Sequence, residues 1–300
     1  MNNTLEFRIV IIGSSGRLGK ELVNLLSPKC RLILIGRDQL DLLNLNSIVS
    51  TLTPINYNLL ILVGAMTNVD LCENHPENAR LINAISPVLI SSISNQKNAR
   101  VIYISTDMVF DGLSKTAYKE EDSSNPICVY GHTKREGEIA VISANPKNIV
   151  LRTSWLFGPS SDSFPTWIIQ LARKCKHISL PSDKFASPTY VPDLVSWIGK
   201  LIFEHRENPP SGIYHLCNTG SCSWQEWGQS CIDAAQDAGI SLISNHIESV
   251  NLKEVTELRA RRPANSVLCI DKFSALSGIS PQPWNEALSH YIFNNRDHFS

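Results

Sequence analysis

The sequence predicts an α/β fold, a doubly wound parallel sheet with a smaller C-terminal lobe. Three observations carry that reading. Short, nearly continuous apolar runs recur at 8–13, 31–36, 58–65 and 99–106, as strands covered by helices on both faces do. Helical patterns separate them at about 17–26, 45–53 and 77–95, and such alternation implies right-handed crossovers and a parallel sheet. The first run also breaks into three spaced glycines just before a helix.

The second half of the chain has another rhythm. A fifth strand is expected at 148–158, after a helix that starts near Cys128. Beyond Gly158, proline at 159, 165, 181, 188, 192, 209 and 210 cuts the sequence into shorter pieces. Helix candidates at 164–174 and 192–205 flank a strand-like 177–181, and 212–218 reads as a strand rejoining the main sheet. The 300 residues therefore divide into a first domain over 1–158, rejoined by about 190–218, and a lobe made mainly of 159–300.

Composition excludes several classes. The hydrophobic fraction is 43%, yet no apolar run approaches the ~20 residues that span a membrane. Net charge is −1 without a long basic block, which argues against a nucleic-acid partner. The opening "MNNTLEFR" lacks a basic stretch followed by an apolar one, so no secretory signal is expected. Eight cysteines form no C-x-x-C pair and read as reduced thiols of a cytoplasmic protein. Cys72 and His75 lie three apart with no second ligand pair nearby, so no metal site is expected.

The glycine turn "IVIIGSSGRLGKEL" carries the first chemistry. Gly13 makes the tight turn, Gly16 lets the backbone approach a pyrophosphate, and Gly19 lets the helix pack close to the strand. The helix N-terminus adds free N–H groups and a positive dipole end. The first domain is thus expected to be Rossmann-like and dinucleotide-binding, with substrate held against the second lobe. The second strand ends in Arg37 rather than a carboxylate, which suits a 2′-phosphate. NADPH is expected over NADH, with NADH left open; an exposed arginine without a ligand is the plain alternative.

The second chemistry lies in "STD" and "VYGHTK". Of seven tyrosines, Tyr130 alone has a lysine four residues on, so Tyr130 and Lys134 share a helix face. Thr106 and Asp107 stand at the carboxyl end of the fourth strand, where parallel sheets bind ligands. Hydride delivered to a ketone leaves charge on oxygen, and a phenol protonated at neutral pH can supply the proton. A nearby ammonium favours the tyrosinate left behind. The Thr106 hydroxyl would stabilise the developing charge.

Together these residues resemble the extended short-chain dehydrogenase/reductases, and most closely the dTDP-4-dehydrorhamnose reductase branch. The resemblance runs through nearly the whole chain: "GSSGRLG", "AMTNVDLCE", "STDMVFDG", "YGHTK", "LRTSWLFG", "SPTYVPDL", "GIYHLCNTGSCSW" and "RRPANSVL". It implies NAD(P)H-dependent reduction of the 4-keto group of dTDP-4-dehydro-L-rhamnose, a nucleotide-sugar substrate. By position it implies that Gly16, Arg17 and Leu18 line the pyrophosphate and that Asp41 and Leu42 lie at the adenine side. Ala65 and Thr67 fall beside the nicotinamide ribose. Thr106, Tyr130 and Lys134 form the catalytic trio, and Asp107 and Trp155 hold the sugar, with aromatic packing at the lobe junction as the alternative for Trp155. For Arg261 and Arg262 it leaves open a diphosphate contact or a structural salt bridge. Such relatives form homodimers, some with an interface metal that no residue here places.

The chain departs from that pattern at Met108, His132 and Asn68, which leaves a related nucleotide-sugar ketone open. A dehydratase of the same superfamily would carry glutamate where Met108 stands. An epimerase would use the same tyrosine and lysine but hold its cofactor permanently. The β subunit of methionine adenosyltransferase, a non-catalytic regulatory subunit, also resembles this branch and keeps much of the glycine turn.

Overall fold

The computed structural model describes residues 7–204 and 209–299. The opening residues behind the expected absence of a leader, and the last residue of the helix candidate 192–205, lie outside them. In the first half β1 (Arg8–Ile12), β2 (Arg31–Ile35), β3 (Leu59–Leu62), β4 (Arg100–Thr106) and β5 (Ile149–Thr153) alternate with helices. These are α1 (Arg17–Leu26), α2 (Leu45–Leu52), α3 (Val69–Asn74), α4 (Pro76–Arg80), α5 (Ser86–Gln96) and α6 (Val129–Ala144).

The later elements are shorter. In chain order they are β6 (Leu156–Phe157), α7 (Phe164–Ala172), β7 (Ser179–Pro181), β8 (Phe185–Ala186), β9 (Thr189–Tyr190), α8 (Val191–Phe203) and β10 (Gly212–His215). Then follow β11 (Cys222–Ser223), α9 (Trp224–Asp237), β12 (Glu248–Val250), α10 (Asp271–Ser277) and α11 (Trp284–Asn294).

Six strands form one sheet in the order β10-β5-β4-β3-β1-β2, and every pairing in it is parallel. Period-two alternation builds a core on each face: Ile9 and Ile11 pack into one, Val10 and Ile12 into the other. The first core is closed by Leu18, Leu22 and Leu26 of α1 with Leu194, Ile198 and Leu201 of α8. The second is closed by Ile48 and Leu52 of α2, Ile90 and Ile93 of α5 and Val141 of α6. Helix α8 and edge strand β10 thus return to the first half's sheet.

Two local expectations are corrected. The helix expected over 77–95 is interrupted by a π turn, Leu81–Ile85, between α4 and α5. Pro87 explains part of this. It has no N–H to give the carbonyl four residues back, Asn83, and the Tyr103 hydroxyl donates to that carbonyl instead at 2.7 Å. The strand expected over 148–158 also ends early, at Thr153; residues 156–157 pair with β9 in a separate small sheet.

A further core lies in the second half, where α7, α9 and α11 pack Ile168, Trp227, Ile232, Leu288 and Tyr291 around Phe157. Small strand pairs, β7 with β12 and β8 with β11, frame it. Because all six main strands run the same way, their carboxyl ends share one edge. Along it Arg37, Gly13, Ala65, Thr106 and Trp155 follow β2, β1, β3, β4 and β5 in spatial order.

Candidate active site

The β1 end is built as a tight glycine turn. Gly13 turns with φ 88°, a left-handed conformation open mainly to glycine, and its amide donates to Ile35 O at 3.0 Å. A Cβ on Gly19 would stand 2.2 Å from Gly13 O, so α1 can start this close to the strand only with glycine there. At Gly16 the same Cβ would meet nothing closer than 3.6 Å. No internal clash demands glycine at that position, and no side chain caps α1 there. Its exposed backbone and the free N–H groups of the first turn fit a dinucleotide pyrophosphate.

The other cofactor-side residues sort by what they can still offer. The Leu18 side chain is buried in the core, so only its backbone can face a ligand. Arg17 reaches across to the second half, donating to Leu156 O at 2.9 Å and also to Asp162 O. Its Nε is buried with no partner among the described residues, one more donor in search of an acceptor. Arg37 and Asp41 are exposed, and Asp41 caps the Leu43 amide at 2.9 Å. Leu42 packs against the second sheet core. Ala65 and Thr67 flank Met66, whose backbone is held at both ends by the buried Asn83 side chain, at 2.9 and 3.0 Å.

The β4 end brings three hydroxyl-bearing or acidic groups together. Thr106 caps the short turn Asp107–Val109, accepting from Met108 N at 3.2 Å while its hydroxyl donates to Asp107 Oδ1 at 3.0 Å. Tyr130 lies in the first turn of α6 with its side chain buried, close enough to Thr106 for the hydroxyl to act on the phenol. Burial pushes the phenol well above its ordinary value, and the nearby Asp107 carboxylate adds to that. The phenol is therefore protonated across the whole neutral range.

Lys134 is arranged differently from the sequence expectation. Its ammonium donates to Ile104 O at 2.6 Å and sits 3.8 Å from the centre of the Tyr103 ring. Burial lowers it to about 7, with Glu138 and Cys72 acting the other way. The dominant influences on Tyr130 are thus burial and Thr106, while the lysine engages the neighbouring strand.

Several residues that position this pair carried no motif. A Cβ on Gly131 would lie 2.1 Å from Met108 O, and one on Gly137 would lie 2.2 Å from Asn83 O. Both glycines let α6 descend onto the end of β4. Glu138, buried completely, accepts from Ser105 at 2.6 Å and from Arg152 at 2.8 and 2.7 Å, tying α6 to β4 and β5. Asn68, a departure from the expected pattern, caps α3 by accepting from Leu71 N at 2.8 Å.

The second half closes over this edge. Trp155 adopts φ 44°, a conformation costing a bulky residue roughly 1–3 kcal/mol. Its ring stacks on Trp227 with centroids 4.9 Å apart, so the aromatic packing weighed for it is present. Asp107 Oδ2 accepts from Ser266 at 2.5 Å. Arg262 forms an ion pair with Asp70 of α3 at 2.8 Å, the structural salt bridge weighed from the sequence. Arg261 is exposed and lines a cleft of about 440 Å³ with Lys253, Arg259 and Ala260. Ala260, which lines the cleft, belongs to the same apolar cluster as Tyr130.

Known proteins share this plan. Residues 7–296 match the family model described as the RmlD substrate binding domain. The chain is 31% identical over 289 residues to dTDP-4-dehydrorhamnose reductase of Aggregatibacter actinomycetemcomitans, covering 94% of this chain and 97% of that one. It is 32% identical over 289 residues to the reductase of the same name from Escherichia coli K12, covering 95% and 96%. A solved dTDP-4-dehydrorhamnose reductase from Bacillus anthracis, in complex with NADP, superposes with TM-score 0.88 at 31% identity, covering 96% of this chain and 99% of that one. By extent of match and by identity, the chain belongs to the dTDP-4-dehydrorhamnose reductase family.

Proposed function

We propose that the protein is an NAD(P)H-dependent oxidoreductase that reduces the 4-keto group of dTDP-4-dehydro-L-rhamnose to give dTDP-L-rhamnose. One observation carries the assignment: a buried, protonated phenol stands beside the Thr106 hydroxyl at the sheet edge that also bears the glycine cradle. When bound, the dinucleotide supplies a hydride to the carbonyl carbon.

The chain's own groups handle the oxygen. Tyr130 gives its phenolic proton to the ketone oxygen as charge develops there. Thr106 donates a hydrogen bond to the same oxygen once its hydroxyl turns from Asp107. Asp107 then has a free acceptor lobe for a sugar hydroxyl. Lys134, whose ammonium rests on Ile104 O, turns to the ribose hydroxyls when the dinucleotide binds. Trp155 offers its ring edge to the sugar. Lys253, Arg259 and Arg261 in the cleft that Ala260 lines suit a nucleotide diphosphate.

The test is direct. Purified protein, NADPH and freshly made dTDP-4-dehydro-L-rhamnose should lose NADPH absorbance in step with the appearance of dTDP-L-rhamnose. Tight NADPH binding without turnover, together with stable capture of another enzyme's subunit, would turn the assignment to a regulatory role. Turnover only with a different 4-keto sugar nucleotide would reassign the sugar.

A further inference from the structure

Lys184 is a buried cation that the chemistry above leaves unused. It lies between β7 and β8, its side chain is 1% exposed, and it makes no direct ion pair among the described residues. Its ammonium instead donates to Ser266 Oγ at 3.0 Å and Phe185 O at 3.4 Å, and stands 5.4 Å from the centre of the Trp155 ring. Ser266 passes the contact on, donating to Asp107 Oδ2 at 2.5 Å, and Thr106 donates to Oδ1 at 3.0 Å. A buried cation and a buried carboxylate thus flank one hydroxyl, in line with the catalytic threonine and the sugar-side tryptophan.

We propose that Lys184 is a positioning residue which, through Ser266, keeps the Asp107 carboxylate ionised and aimed at Thr106 and at a substrate hydroxyl. The inference rests on the reading of Asp107 as the sugar-binding carboxylate. Burial alone drives Asp107 toward its neutral acid, and Lys184 is the chief influence in the opposite direction. A neutral Asp107 would offer its own proton to Thr106 and would leave the sugar hydroxyl facing a donor. The other groups around the pair cannot substitute for Lys184. Tyr130 and Cys128 on α6 and Cys217 beyond β10 are held neutral by burial. Arg262, which also faces Lys184, is committed to Asp70.

The experiment compares Lys184→Met, Lys184→Arg and Ser266→Ala in the full chain. In Lys184→Met, kcat/KM at pH 7 should fall at least about tenfold, chiefly through the sugar KM, and the acid limb of its pH profile should rise by about one pH unit or more. NADPH affinity by fluorescence titration should stay within about twofold, and Lys184→Arg should restore the limb. Loss of packing alone would depress the profile at every pH without moving its limb, and that result overturns the inference. The ¹³C-carboxyl resonance of Asp107, identified by its loss in Asp107→Asn, gives a readout that needs no turnover. Its midpoint should rise in Lys184→Met and in Ser266→Ala, the latter covering the case in which Lys184→Met fails to fold. A wild type without turnover but with a shifting midpoint would sink the reductase assignment alone; active enzyme with a fixed midpoint would sink the Lys184 role alone.

Discussion

The Lys134 ammonium donates to the main-chain carbonyl of Ile104, 2.6 Å away, two residues before Thr106 on the same strand. The helix that carries Tyr130 is therefore bolted to the strand that carries Thr106 by the third member of the set. The contact costs desolvation of a charge, and that cost has a signature in pH.

Lys134 titrates near 7 in the folded chain against 10.5 when solvated. Between those values the unfolded chain binds more protons, so stability rises with pH across that window and is flat below it. Lys184, lowered to about 8, adds the same sign above its own value. Urea midpoints of Lys134→Met between pH 6 and 10 should show a shallower rise than wild type, with Lys184 adding to what remains and the buried thiols opposing it at the alkaline end.

Removing the phenolic hydroxyl separates chemistry from binding. Tyr130→Phe should lower kcat by about 10²-fold or more while NADPH affinity is kept, because only the proton donor is lost. Lys134→Ala should damage both kcat and NADPH affinity. Near-normal turnover in Tyr130→Phe would remove it from the role of acid.

The Glu138–Arg152 pair is fully buried, and losing Arg152 leaves the buried carboxylate with only the partly exposed Arg135 to balance it. Arg152→Met should cost about 3–5 kcal/mol of stability in denaturant titrations. The double variant Arg152→Met with Glu138→Leu should cost less than the sum of the two single changes.

Gly131→Ala places a methyl against the Met108 carbonyl. Helix α6 must lift, at roughly 1–3 kcal/mol, and Tyr130 lifts with it. Both the melting temperature and kcat should fall, with the sugar KM affected less than kcat.

Arg37 is exposed two residues beyond the end of β2. Arg37→Ala should raise the Michaelis constant for NADPH several-fold and leave that for NADH nearly unchanged. Equal effects on both cofactors would assign the 2′-phosphate to another group.

Much of this was legible in the sequence because it is written in short-range code. The apolar runs became the strands of one parallel sheet, and the helix at 17–26 became α1 with the same bounds. Tyr130 and Lys134 share a face because four residues make about one helical turn. What the sequence concealed depends on partners far along the chain. Nothing near Asn83 announces that its side chain will clasp Met66, or that Pro87 will redirect its carbonyl. Arg262 looked equally suited to phosphate or carboxylate until Asp70 arrived 192 positions away. Nothing in the sequence marks Lys184 as buried, since burial of a cation is decided by whatever the fold lays over it.

Proline at position 87 acts on the site through a bond it cannot make. The carbonyl it leaves unclaimed fixes a tyrosine hydroxyl, and that tyrosine's ring is the π face on which the Lys134 charge rests. Restoring an amide hydrogen there would let the helix reclaim the carbonyl and set the ring loose. Through that ring, an evolving sequence could alter the surroundings of Lys134 from position 87 without touching any residue proposed to meet a ligand.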